Sequence, residues 1–130
     1  MRLAVDGPGL SEPGAPYSPA IIAGGFVFVS GQASIDPMTH EVFGNDIVSQ
    51  TNGTVRNLEK VLNAAGCSLN DVVKINAYLA DIGDFERFSR AYSRLFAEPR
   101  PARTTVGAAL TGILVEIDCI ARLPDSKGSK

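Results

Sequence analysis

The chain has 130 residues, 45% of them apolar and 20% charged, with a formal net charge of −2, which suits one globular domain long enough to bury a core. No basic excess exists for an electrostatic grip on nucleic acid, and two cysteines are too few for a disulfide scaffold. No apolar run reaches membrane-spanning length and residues 1–10 hold no signal-peptide core, so the expected setting is the cytoplasm, without membrane or nucleic-acid partners.

Residues 2–5 read as a short first strand. A Gly/Pro/Ser-rich stretch over 7–19, with Tyr17 inside it, reads as a loop. Ile21 and Ile22, Gly24-Gly25, and residues 26–30 read as a hairpin. Strict alternation puts Phe26, Phe28 and Ser30 on one face and Val27, Val29 and Gly31 on the other. Residues 36–44 form a loop, and Asn45 or Asp46 caps a helix with the stripe Val48, Val55, Leu58, Leu62 and Ala65, ended by Gly66. Gly53 inside that helix costs about 1 kcal/mol against Ala and has no explanation in the sequence.

Residues 71–79 read as a strand with Val73, Ile75, Ala77 and Leu79 on one face. Asp84 is placed to cap a second helix with the stripe Phe85, Phe88, Tyr92, Leu95 and Phe96, stopped by Pro99. Two strands follow, over 102–109 and 113–121, and their closeness predicts an antiparallel hairpin turning at Gly112. The order β-β-β-α-β-α-β-β gives an α+β fold in one domain over 1–123, with a polar tail over 124–130. Two helices cover one face of such a sheet, and a second copy of the chain is the simplest cover for the other.

The last hairpin holds the main concentration of charge. If it closes near Ala109 and Gly112, Thr105 lies opposite Glu116 and Arg103 opposite Asp118, all four on the face away from the helices. Spacing alone favours a cross-strand ion pair between Arg103 and Asp118 or Glu116, with a functional site as the alternative. Ser30-Gly31 at a strand end offers a hydroxyl and a backbone N–H to a ligand, or simply ends a strand. Tyr17, Arg100 and His40 read as loop residues, Cys67 as a helix-end residue and Cys119 as core. No metal is expected, because His40 is the only histidine and zinc would need carboxylates instead of its usual Cys and His ligands. The same scarcity argues against a Ser-His or Cys-His nucleophile pair.

Six fragments, in order, resemble the RidA (YjgF/YER057c/UK114) family. They are Ala15-Pro16-Tyr17-Ser18, Val27-Phe28-Val29-Ser30-Gly31-Gln32, Asn63-Ala64-Ala65-Gly66, Asp71-Val72-Val73-Lys74, Arg100-Pro101-Ala102-Arg103-Thr104-Thr105-Val106 and Val115-Glu116-Ile117-Asp118-Cys119-Ile120-Ala121. The resemblance implies a chorismate-mutase-like mixed sheet with two helices on one face, and a homotrimer with a central barrel-like core and clefts between subunits. It also implies an enamine/imine deaminase. Such an enzyme hydrolyses 2-imino acids such as 2-iminobutanoate and 2-iminopropanoate to 2-oxo acids and ammonia, with no cofactor. The alternatives are a deaminase for another enamine, such as 2-aminomuconate or aminoacrylate, and a non-enzymatic ligand-binding trimer. By position, Arg103 matches the arginine that holds the substrate carboxylate and Glu116 the glutamate beside the attacking water. Tyr17, Ser30, Gly31 and Thr105 match residues at the cleft. The chain departs from the family pattern in four places. Thr105 stands where many members have Cys or Thr, which excludes a thiol role, Ser89 replaces a common Asn, Asp118 replaces a common Glu, and the stretch between Val106 and Glu116 is shorter, which leaves substrate size open.

Overall fold

The computed structural model describes residues 1–125. The expected order of elements is present as β1 (Leu3–Val5), β2 (Ala20–Ala23), β3 (Phe26–Gln32), α1 (Ile47–Ala64), β4 (Val72–Leu79), α2 (Phe85–Ser93), β5 (Ala102–Gly107) and β6 (Val115–Arg122). The polar tail expected over 124–130 lies, from residue 126 onward, outside the described residues. No described helix is long and apolar enough to cross a membrane.

Local chemistry accounts for most boundaries. Gly24 and Gly25 have φ of 60° and 84°, the left-handed pair that a two-residue hairpin between β2 and β3 requires. Asp46 caps α1 by accepting from the Ser49 N–H at 2.8 Å, and the Ser49 hydroxyl oxygen accepts in turn from the Asp46 N–H. The buried stripe of α1 is Ile47, Thr51, Thr54, Val55, Leu58, Val61 and Leu62. Val48, expected in that stripe, is instead exposed. Two threonines inside the stripe hide its true phase, which starts one residue earlier. Asp84 precedes α2 without a side-chain cap bond and pairs with Arg87 at 3.1 Å, while Asp81 caps the short turn before it.

The sheet has the order β1-β2-β3-β6-β4-β5. β4 pairs with β5 in parallel and with β6 antiparallel, so the expected β5–β6 hairpin does not form. Chain proximity misled that expectation because the unit that decides the pairing is β4-α2-β5, a crossover that returns β5 beside β4 in parallel. The connection over 108–114 then carries the chain past β4, a span of about two strand spacings, or ~10 Å, that seven residues reach easily.

Register now assigns the faces. Ile75, Ala77, Leu79, Val115, Ile117, Cys119, Ala121, Val27 and Val29 point toward the helices and are buried. Val73 does not join them, because a bulge between Val72 and Lys74 turns it outward and leaves it exposed. With Phe88, Leu58 and Leu62, these side chains make one core, where each fully buried Leu or Phe contributes about 1.5–3 kcal/mol. The outer face carries Phe26 and Phe28, both exposed, and a row of polar side chains on β4 and β6.

Gly53 faces Ser34, which is fully buried and donates its hydroxyl to the Phe43 carbonyl at 2.7 Å. A Cβ at Gly53 would overlap the Ser34 hydroxyl. Gly53→Ala should therefore lose stability despite gaining about 1 kcal/mol of helix propensity, because overpacking costs about 1–3 kcal/mol. A thermal scan should show Tm lower by roughly 3–8 °C. An unchanged or raised Tm would mean that the helix does not rest on Ser34.

Candidate active site

β3 does not keep strict alternation. Val29 pairs with Cys119 and Gln32 with Ile117, so Ser30 and Gly31 together face the single position 118. The sequence predicts Gly31 on the face of Val27 and Val29. The bulge turns it the other way, where a Cβ would run into the Glu116 carboxyl group. Only glycine allows this approach, so the Glu116 carboxylate lies directly against the β3 backbone. The Ser30 hydroxyl donates to the Ser18 carbonyl at 2.7 Å and the Ser30 N–H to the Pro19 carbonyl at 2.9 Å. These two bonds tie the loop bearing Tyr17 to the sheet. Ser30 thus positions a wall with its donor group.

That wall borders a cleft of about 810 Å³. Tyr17, Ser30, Gly31 and Glu116 line it, with Lys60 of α1, His40 and Glu12 farther out and residues 111–113 at the rim. Asn57 fixes another wall by donating to the carbonyls of Ala33 and Ile35 at 2.8 and 2.9 Å. Gln50, buried in α1, accepts from the Leu114 N–H at 2.8 Å and holds the rim segment. His40, at φ 65°, pairs with Glu12 at 3.0 Å on the surface. Among the described residues no cluster of three or more His, Cys, Asp or Glu side chains is placed to hold a metal.

Glu116 and Asp118 both project from the outer face of β6, but their surroundings differ. Asp118 accepts from the Asn76 amide and from the Tyr78 hydroxyl, each at 2.8 Å. No side chain among the described residues donates to Glu116. Partial burial, aided by the Asp118 charge, holds the Glu116 proton on above the usual glutamate range.

Arg103 is on the other side of the sheet. It lies opposite Ile75 in the β4–β5 register and so faces the helices. Its guanidinium sits among Phe85, Phe88 and Tyr92, at 5.6, 5.1 and 4.8 Å from the ring centres. A cation over an aromatic face gains about 0.5–2 kcal/mol. Its one side-chain hydrogen bond among the described residues goes to the Ser89 hydroxyl at 2.8 Å. No described carboxylate forms an ion pair with it. A guanidinium has five donors, so this one is held in place with most of its capacity to bind an anion unused. Thr105, two residues on, points to the same side, and its buried hydroxyl has no hydrogen-bond partner among the described residues.

The structure therefore gathers Tyr17, Ser30, Gly31 and Glu116 at one cleft and sets Arg103 and Thr105 apart. The face shared by Arg103, Thr105, Glu116 and Asp118 does not exist, and neither does an ion pair from Arg103 to Glu116 or Asp118. The misplaced hairpin is the reason. With β4 between β5 and β6, the outward positions of β6 match 76 and 78, while 103 and 105 match the buried 75 and 77. The sequence reading also missed the aromatic cage, since Phe85, Phe88 and Tyr92 have the spacing of an ordinary core stripe. Ser89, the polar residue between them, was the available signal. Asn76 and Tyr78, on the outer face of β4, hold Asp118.

Comparison with known proteins agrees with this architecture. The family model described as Endoribonuclease L-PSP matches residues 10–123. A RutC family protein from Pyrococcus horikoshii is 44% identical over 112 residues, covering 85% of this chain and 89% of that protein. Among solved structures, RidA from the Antarctic bacterium Psychrobacter sp. PAMC 21119 superposes with a TM-score of 0.84 at 32% identity, covering 93% of this chain and 99% of that one. E. coli TdcF with bound serine superposes with a TM-score of 0.82 at 27% identity, covering 94% and 99%.

The environment of Glu116 has a consequence for stability. With its folded value raised above 4.5, the native state binds more protons than the unfolded chain in the window that opens there and closes at the raised native value. Stability contributed by protonated Glu116 is present below that window and lost as pH rises through it. Glu116→Gln should flatten the fall of Tm across this window. Equal slopes for the two proteins in a pH series of thermal scans would show that the fold leaves this carboxyl unperturbed.

Proposed function

Because the chain belongs to the YjgF/RidA family, which carries the description Endoribonuclease L-PSP, we propose that it is an imine/enamine deaminase. It converts 2-imino acids such as 2-iminobutanoate and 2-iminopropanoate to 2-oxo acids and ammonia, at sites built from two copies of the chain in a homotrimer. The observation that carries this reading is the separation of the two key side chains. Arg103 is a caged cation that no carboxylate among the described residues pairs with, on the helix side of the sheet at its edge strand. Glu116 is a cleft carboxyl that forms no ion pair among the described residues, on the other side. Each supplies what the other lacks only if a second copy brings its Arg103 to the Glu116 cleft. A head-to-tail contact of this kind gives a ring where its rotation closes, and the exposed Phe26 and Phe28 on the outer face are apolar surface that another copy would cover.

Arg103 grips the substrate carboxylate through two parallel N–H bonds, a geometry that Lys cannot copy. This sets C2 of the imine over Glu116 of the adjoining copy. The ionised Glu116 takes a proton from water as the water oxygen adds to C2, and the C=N electron pair moves to nitrogen, which takes up a proton from solvent to give the amino alcohol. Glu116 then gives its proton to that nitrogen, the C–N bond breaks with its electron pair leaving on ammonia, and the new hydroxyl returns a proton to solvent as its oxygen forms the C=O of the 2-oxo acid, with Glu116 again ionised. Positioning supplies most of the acceleration, since an imine carbon is already electrophilic. The bound serine in the TdcF structure supports a small ligand that carries a carboxylate and a nitrogen. An RNA substrate is disfavoured by the net charge of −2 and by the carboxylates of Glu12 and Glu116 in the cleft.

Imine released by a serine/threonine dehydratase should disappear faster with the protein than in buffer, and light scattering should give about three chain masses. Binding of 2-oxobutanoate without turnover would favour the ligand-binding alternative, and a monomer would end the shared-site model. Arg103→Lys should abolish most turnover in a folded protein, and Glu116→Gln should lose about 10²-fold or more. Co-assembling these two inactive variants tests the geometry. In a shared-site ring, random mixing pairs an intact Arg103 with an intact Glu116 at about one quarter of the sites, so activity reappears on mixing. If both residues serve one chain's own site, the mixture stays inactive.

A further inference from the structure

Two carboxylates two residues apart on one strand face would ordinarily be hard to tell apart by role. Here the donors around them distinguish the two. Tyr78 lies directly opposite Glu116 in the β4–β6 register, yet its hydroxyl reaches diagonally past Glu116 to Asp118 Oδ2 at 2.8 Å. Asn76, opposite Asp118, donates to Oδ1 at 2.8 Å. Both available donors on β4 therefore go to Asp118. Glu116 is left between the bare backbone of Gly31 and the open cleft. Neighbouring acids placed in contrasting environments divide the work of acid–base chemistry between them.

We propose that Asp118, pinned by Asn76 and Tyr78, is a positioning residue that makes Glu116 the proton carrier of the pair. The proposal rests on the deaminase reading for its chemistry but on the donor geometry for its assignment. Asp118 holds its carboxyl group in one place beside Glu116 and does not touch the substrate. The other titratable groups around Glu116 are Tyr78 on β4 and, across the cleft, Glu12, Tyr17, His40 and Lys60. The β3 segment facing it, from Ser30 to Gln32, contributes none. Among the described residues, Asp118 is the charge that raises Glu116 through space, adding to the larger effect of burial. Its hold on Tyr78 is visible in the same way, since the hydrogen bond to Asp118 is the main cause that lifts that phenol above its ordinary value. For the reaction, the consequence is a Glu116 that exchanges its proton readily. It serves as acid toward the nitrogen and as base toward the water, where a freely ionised carboxylate would serve well only as the weaker of the two bases.

The test compares wild type with Asp118→Asn, Asp118→Glu and Tyr78→Phe, each checked for folding and mass. The Glu116 carboxyl is followed by carbon-13 NMR across pH, and kcat and KM are followed across the same range. Asp118→Asn should move the Glu116 titration to lower pH, carry the acid limb of kcat with it, and leave KM within about twofold, because the carboxylate grip on substrate belongs to Arg103. Asp118→Glu should restore the wild-type titration in part. Tyr78→Phe removes one pin and keeps every carboxylate, so it should shift Glu116 in the same direction by less. It also stands in if Asp118→Asn fails to fold. A Glu116 titration unchanged in Asp118→Asn, or in Tyr78→Phe where that variant stands in, overturns the assignment whatever the turnover. The expected NMR shift without imine turnover by wild type would overturn the deaminase reading and leave the electrostatic assignment standing.

Discussion

The crossover from β4 through α2 to β5 returns the chain beside β4 in parallel, with β6 on β4's other side. A single strand's width separates β5 from β6, and that width decides which side chains share a face. Had β5 and β6 paired with each other, Arg103 could have neutralised Glu116 or Asp118 and the chain would carry a buried ion pair with little reactivity. With β4 interposed, Arg103 turns to the aromatic side of α2 and the two carboxylates turn outward. The charges stay apart within one chain, so each retains its capacity for a partner of another kind.

A second layer of constraint comes from small residues at close approaches. Gly31 lets a carboxylate rest against backbone, and Gly53 lets a helix rest against the buried hydroxyl of Ser34. The first shapes the cleft at Glu116. The second seats α1, from which Asn57 and Gln50 reach out to hold the segments that wall and rim the same cleft. The site is thus supported from its periphery by hydrogen bonds to backbone carbonyls and amides. Such bonds leave Glu116 without a side-chain donor among the described residues.

Much of this was legible in the sequence, and the failures have definite causes. The hairpin at Gly24-Gly25, the cap at Asp46 and the order of elements follow from local rules of turn and cap chemistry, which the tertiary fold did not override. The phase of α1 was misread because Thr51 and Thr54 occupy its core stripe. The place of Gly31 was misread because a bulge is invisible to alternation. The pairing of β5 was misread because short separation in the chain is weaker than the tendency of a strand after a helix to return parallel. That last error moved Arg103 and Thr105 to the wrong face, although the resemblance to a family had already marked both as site residues. The resemblance marks the positions and implies clefts between subunits; the register of β4 with β5 and β6 is what assigns the faces.

The two thiols belong to the same chemical setting in a less obvious way. Cys67 and Cys119 are free and buried. Burial, with help from Asp71, pushes the Cys67 thiol up, and burial pushes that of Cys119 up to about 12. Thiolate is the form of cysteine that attacks electrophilic carbon, and C2 of an imine of the kind proposed as substrate is such a carbon. With its only two thiols buried and held in the protonated form, and a threonine at position 105, the chain would offer such a molecule no cysteine nucleophile. Protection against such an electrophile would then follow from where the cysteines lie in the fold.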